Sequence, residues 1–299
     1  MKNRFVMIVA GVVGIQGACL GQSDKINEYE DVNFVPEEDR WQVDAGISHR
    51  IYLQDRSALQ NRADDVHSPD QTWEDGDSEG RGWGVNISIS RGIAQINLNV
   101  SKSDLEYDLE AGPNQFHSIR ADRNDVELYW HEGRTKTERG VWGSSIGVKH
   151  IGVRQKIEIL EGEDHLQTVG ATDWWMLAPG VFGDLRPFRN DLFLFSLRSN
   201  LLIGEVSGIA REDGYDNAYD GSINESYGDE RSLAYGVQFD LTAAFRMAEN
   251  LLASVSYSRE YLYSFDVTED EGMMVFPDNN DALFIENAHF WYIGLDWLF

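Results

Sequence analysis

The sequence predicts an all-β fold: a transmembrane up-and-down antiparallel β-barrel of about ten strands. Three observations carry this. Long segments alternate apolar and polar residues, the connections between them alternate short and long, and the final segment repeats the pattern and ends on Phe299.

The alternation starts at residue 41, where Val43, Ala45, Ile47, Ile51 and Leu53 interleave with Asp44, Gly46, Ser48 and Arg50. Val85, Ile87 and Ile89 follow, against Gly84, Asn86, Ser88 and Ser90. After a tight turn at Arg91-Gly92 come Ala94, Ile96, Leu98 and Val100 against Gln95, Asn97, Asn99 and Ser101. Tyr235 to Phe245 and Leu251 to Phe265 repeat it, as does Trp291-Ile293-Leu295-Trp297-Phe299. A period of two means a strand with one apolar and one polar face. Segments near 119–132, 140–155, 173–185 and 190–204 are noisier, and Pro179, Gly180 and Gly183 predict a bend in one of them.

Short connections fall at Arg91-Gly92, around Gly133–Gly140, at Arg186–Asn190 and at Ala248–Asn250. Long ones are expected near 54–81, 108–118, 156–172, 209–231 and 266–284. With an even number of antiparallel strands, this puts every long loop at one end. In outer-membrane barrels the short turns face the periplasm and the long loops face outside.

The same alternation also suits a soluble sandwich, so the composition of the polar face decides between them. A water-facing strand surface favours Thr, Lys, Glu and Arg, whereas here Gly, Ser and Asn dominate. Small polar side chains suit the crowded inside of a narrow barrel. On that face Asp44, Arg50, Lys149, Arg198, Asp240, Arg246 and Asp296 are the candidate lumen charges. Aromatics at segment ends (Trp41, Tyr52, Trp83, Trp130, Trp142, Tyr261) suit interfacial girdles. The strand Trp291, Ile293, Leu295, Trp297, Phe299 resembles the assembly signal of outer-membrane barrels, which implies the barrel-assembly machinery as a partner.

The N-terminus reads as a targeting segment. Lys2 and Arg4 precede an apolar run from Phe5 to about Gly17, and small residues then lead into Gln22-Ser23-Asp24. That run is too short to span a bilayer as a helix. The expected layout is a signal peptide over 1–21, a polar periplasmic lead-in over 22–40 and the barrel over 41–299. Cys19 is the sole cysteine, so no internal disulfide forms. Gln16 stands where a lipidation signal needs an apolar residue, which favours cleavage after Gly21 over lipidation of Cys19.

A net charge of -26 argues against nucleic acid as a partner, because phosphates demand Lys and Arg. The expected surroundings are outer-membrane lipid and lipopolysaccharide. Acids crowd the predicted long loops, and Asp75, Asp77, Glu79, Asp213 and Asp216 have the density for a divalent cation without full EF-hand spacing. No cofactor is implied. No catalytic motif emerges either. Asp75 and Asp77 with Asp164 and His165 fit an omptin-like protease by loop position only, and His117-Ser118 and His289 lack the partners of a lipid hydrolase.

The stretch from Trp175 to Gly204, WMLAPGVFGDLRPFRNDLFLFSLRSNLLIG, combines a Gly/Pro-containing strand, a short turn and an alternating F-x-F strand. It resembles the central hairpin of the major-outer-membrane-protein-like pore-forming family, over about a tenth of the chain. The resemblance implies a passive or weakly selective pore. For the barrel as a whole the expected role is a small pore or a structural envelope protein. Surface binding or adhesion through the acidic loops is the alternative, and an outer-membrane enzyme comes third.

Overall fold

A period-two sequence gives most strands one apolar face, and here the long aliphatic faces point outward. A computed structural model describes residues 41–56, 78–112, 115–137, 139–161, 164–187, 192–216, 221–265 and 285–299. The predicted signal peptide, the lead-in and Cys19 lie outside these residues.

Eleven strands form one sheet: β1 (Trp41–Arg56), β2 (Ser78–Arg91), β3 (Ala94–Gly112), β4 (Gln115–Thr137), β5 (Gly140–Glu161), β6 (Asp164–Leu177), β7 (Gly180–Leu185), β8 (Phe193–Asp216), β9 (Gly221–Ala248), β10 (Leu251–Phe265) and β11 (Ile285–Leu298). β6 and β7 are two halves of one barrel strand, since both pair with β5 on one side and β8 on the other. The break falls at Ala178-Pro179, because proline has no N–H for the ladder. The neighbours stay bonded across it: Ala178 N donates to Gly147 O at 2.8 Å, and Leu201 N donates to Pro179 O at 2.9 Å. Ten antiparallel strands thus surround the axis. β1 and β11 close the ring from Asp44↔Leu298 upward, and Phe299 N donates to Val43 O at 2.9 Å.

A rung of paired residues followed once round the barrel does not return to its start. From Arg154 on β5 it runs through Asp122, Asp104, Arg81, Ile51, Trp291, Tyr257, Leu241, Leu197 and Gly183, and comes back to β5 at Trp142. That displacement is the shear of the barrel. It requires the strands to tilt by roughly 35–45° from its axis.

Facing follows the alternation. Outward positions carry Ile47, Val85, Ile87, Ile89, Leu128, Ile146, Val148, Leu201, Val237 and Leu241, all exposed. Trp41, Trp83, Trp130, Trp142 and Trp175 stand on the same surface. Gly92, in the two-residue β2–β3 turn, has φ of 60°, a left-handed conformation that costs other residues about 1–2 kcal/mol.

Three expected long loops turn out to be mostly strand. Pairing continues to Gly112↔Gln115 between β3 and β4, to Glu161↔Asp164 between β5 and β6, and to Asp216↔Gly221 between β8 and β9. The alternation fades there because neither face needs an apolar partner, while backbone pairing needs only backbone. The β1–β2 and β10–β11 connections, 57–77 and 266–284, lie outside the described residues.

Candidate functional site

Inward positions near mid-barrel carry charge where the outward positions carry aliphatic side chains. On β4 the inward series Arg123, Asp125, Glu127, Tyr129 and His131 is buried, while Val126, Leu128 and Trp130 between them are exposed. β1 contributes Arg50 and also Tyr52, which lies inward and fully buried rather than in the outer girdle expected of it; β5 contributes Lys149, β8 Arg198, β9 Gln238 and Asp240, β10 Glu260 and β11 Glu286.

These side chains form one connected collar. Arg123 donates from Nε to Asp125 at 2.9 Å, from Nη1 to Glu286 at 3.1 Å and from Nη2 to Glu260 at 2.5 Å. Lys149 pairs with Glu260, and its Nζ donates to Glu127 at 2.6 Å and to Gln238 at 3.3 Å. Arg198 donates to Asp240 at 2.7 Å and to Glu127 at 3.2 Å, with its guanidinium 4.0 Å above the Tyr129 ring. Arg50 pairs with Asp125, donates to Ser101 Oγ at 2.7 Å and lies 3.8 Å over Phe290. Tyr52 donates to Glu286 at 3.1 Å and stacks on Phe290 at 5.2 Å.

The position of Arg123 relative to Glu260 decides what the collar does. β4 and β10 stand on opposite walls, five strand positions apart in either direction round the ring. A direct ion pair between them therefore spans the lumen. Arg123 is 0% exposed and Lys149 1%, whereas side chains lining a water-filled channel would be wetted. Gly147 makes room for part of this, since a Cβ there would stand 2.3 Å from the Tyr129 ring.

Toward the long-loop end an apolar layer adjoins the collar. Ile151, Val153, Trp174, Met176, Leu202, Val206, Ala234 and Leu262 are all buried and form one cluster with Tyr129. Trp174 Nε1 donates to Thr172 Oγ1 at 3.2 Å, so its one polar atom is satisfied. Toward the short-turn end the lumen is lined by small polar residues. There Asp44 accepts from Gln42 and Ser88, both at 2.9 Å, and Asp296 accepts from Asn86 and Ser254, both at 3.0 Å.

Of the charges singled out in the sequence, Arg50, Lys149, Arg198 and Asp240 meet in the collar, while Asp44, Asp296 and Arg246 sit nearer the short turns. Sequence reasoning missed Arg123, Asp125, Glu127, Glu260 and Glu286. The signal was present as charged residues at every second position of 123–127, facing Val126 and Leu128. For the cation and protease candidates, Asp75 and Asp77 lie outside the described residues. Glu79, Asp164, His165, Asp213 and Asp216 are strand positions of which only the backbone is described. Likewise His117 is described by its backbone alone. Ser118 is buried, and His289 Nδ1 lies 2.8 Å from Arg259 Nη1 on the outer face. Among the described residues no three His, Cys, Asp or Glu side chains group as metal ligands.

A closed ten-strand meander with an aliphatic exterior and a polar interior is the inverse of a water-soluble barrel, and it defines the class of membrane β-barrels. No family model matches the chain, and no curated protein matches it. Among solved structures the fold is similar to that of the outer membrane protease OmpT from Escherichia coli, at 12% identity over 90% of this chain and 100% of that one, TM-score 0.47. It is also similar to the toluene transporter TodX of Pseudomonas putida, at 8% identity over 88% and 90%, TM-score 0.39. A third is Ail, the attachment invasion locus protein of Yersinia pestis, at 10% identity over 87% and 97%, TM-score 0.26. All three are outer-membrane proteins of different roles, so the likeness is one of fold. None belongs to the pore-forming family that the 175–204 stretch resembles.

Proposed function

We propose that this protein is an integral outer-membrane barrel with a closed lumen, a structural protein of the envelope rather than an open pore. The observation that carries the reading is the ion pair between Arg123 and Glu260, held across the barrel diameter and backed by Lys149, Glu127 and Asp125. Between the small pore and the structural envelope protein expected from the sequence, this favours the structural protein. The resemblance of the 175–204 hairpin to a pore-forming family supports the shared architecture but does not require an open lumen. The aliphatic exterior supports the membrane, and the short turns support a periplasmic position for that end of the barrel. The acidic loops fall largely outside the described residues, so the reading rests on the barrel.

Conductance across a planar bilayer tests it. The wild-type barrel is expected to give no steady channel current, while Arg123→Ala combined with Glu260→Ala should open discrete steps by removing the pair that crosses the lumen. Steady wild-type conductance that the double substitution leaves unchanged would sink the closed-lumen reading.

A further inference from the structure

Above the aliphatic belt, the outward face of β2 to β5 changes character abruptly. The rung Val85–Val100–Val126 is apolar, and the next toward the long-loop end is Trp83–Lys102–Asn124. The following rung reads Arg81–Asp104–Asp122–Arg154, and Glu106–Arg120–Lys156 lies beyond it. Five cations thus stand on four adjacent strands, immediately beyond the apolar belt and on the side that faces lipid. Arg81, Arg120, Arg154 and Lys156, with Asp104 and Glu106, help line a cavity of about 980 Å³.

The opposite sector is built differently. There the outward face carries Tyr235, Tyr257, Tyr261, Tyr263 and Trp291, and Arg259 lies 4.6 Å over the Tyr261 ring. Cations facing lipid are costly at the bilayer midplane, by about 2–4 kcal/mol each, and nearly free at its edge. Their position at the edge is where a lipid presents its headgroup.

From this arrangement we infer that the outer face of β2 to β5 is a docking surface for a phosphorylated glycolipid of the outer leaflet, with Arg120, Arg154 and Lys156 holding its phosphates. The inference rests on the membrane reading above. Charge complementarity supplies the choice of occupant, because guanidinium pairs bind phosphate oxygens in bidentate fashion. Asp104 and Asp122 lie in the same cavity and Lys102 meets Asp104 at 3.4 Å, so the patch is of mixed charge and a phosphate enters by displacing weak pairs. Arg120 meets Glu106 at 2.8 Å and Lys156 meets Glu158 at 2.6 Å, but both are surface pairs worth about 0–1 kcal/mol. A doubly charged phosphate therefore competes at little cost. Arg154, opposite Asp122 in the ladder, is exposed beside them.

The full chain, refolded in detergent micelles, can be titrated with bisphosphorylated lipid A and read by native mass spectrometry. Dephosphorylated lipid A and phosphatidylglycerol serve as comparison probes. The wild-type protein should retain bisphosphorylated lipid A at least about tenfold more tightly than either probe, a gap near 1.4 kcal/mol. Arg120→Ala with Arg154→Ala and Lys156→Ala should erase that gap, and the milder Arg154→Gln with Lys156→Gln should reduce it. Arg134→Ala with Lys136→Ala, at the short-turn end, should leave it intact. Equal retention of the dephosphorylated lipid or of phosphatidylglycerol overturns the proposal, as does an unchanged gap in folded variants. Flotation with phospholipid vesicles separates the two readings: a chain that floats yet ignores lipid A refutes only the docking surface, and one that fails to float refutes the membrane reading.

Discussion

Arg123 engages three carboxylates and the Phe290 face at once, with its guanidinium 4.6 Å from the ring centroid. Its planar fork sends donors in three directions while its face lies on the ring, a geometry that the compact ammonium of Lys does not reproduce. Buried ion pairs stabilise little relative to apolar packing, yet breaking one strands its partner. Glu260 accepts from both Arg123 and Lys149, so Glu260→Ala leaves two buried cations short of an acceptor. The expected loss is about 3–5 kcal/mol of unfolding free energy. Tryptophan fluorescence during urea unfolding from lipid vesicles measures it, and a loss below about 1 kcal/mol would show that water reaches the collar.

At the scale of the strand, β2 and β3 join through Gly92-Ile93, and the turn sets a register that runs from Arg91↔Ala94 to Gly80↔Leu105. Gly92→Ala forces an L side chain into the left-handed region and should cost about 1–2 kcal/mol, measured in the same urea titration. An unchanged midpoint would mean that the turn relaxes to another type. Strands such as β2, β3, β10 and β11 were legible in the sequence because each keeps a clean period of two. The inward face of β4 was harder to read. Its Arg123, Asp125 and Glu127 look like surface charge until their partners are known, and those of Arg123, on β10 and β11, lie 137 and 163 residues away. The hairpin extensions were hidden for the opposite reason, since a ladder outside the membrane leaves no apolar signature. Pro179 marked its break correctly, because a missing N–H is a local property.

For the molecule as a whole, closure leaves no sheet edge exposed among the described strands. The ring depends on β11, which gives β1 its second neighbour from Asp44 to Arg56. Removing Trp297, Leu298 and Phe299 deletes the rungs opposite Asp44 and Ala45 and the bond from Phe299 to Val43. The truncated chain should lose the compact, heat-sensitive band that a closed barrel shows in unboiled gel electrophoresis. Retention of that band at wild-type yield would show that the last rungs are dispensable for closure.

The pair that crosses the lumen also bears on the order in which the barrel is completed. Arg123 and Glu260 stand 137 residues apart and meet only across the lumen, so Arg123 gains Glu260 and Glu286 only when the ring holds β10 and β11. A sheet inserted into lipid without β10 and β11 would carry Arg123 with both far-wall carboxylates missing, a state that hydrocarbon penalises. The collar is thus a completeness check written into the chain: Arg123 meets its full set of carboxylates only when the far wall is in place.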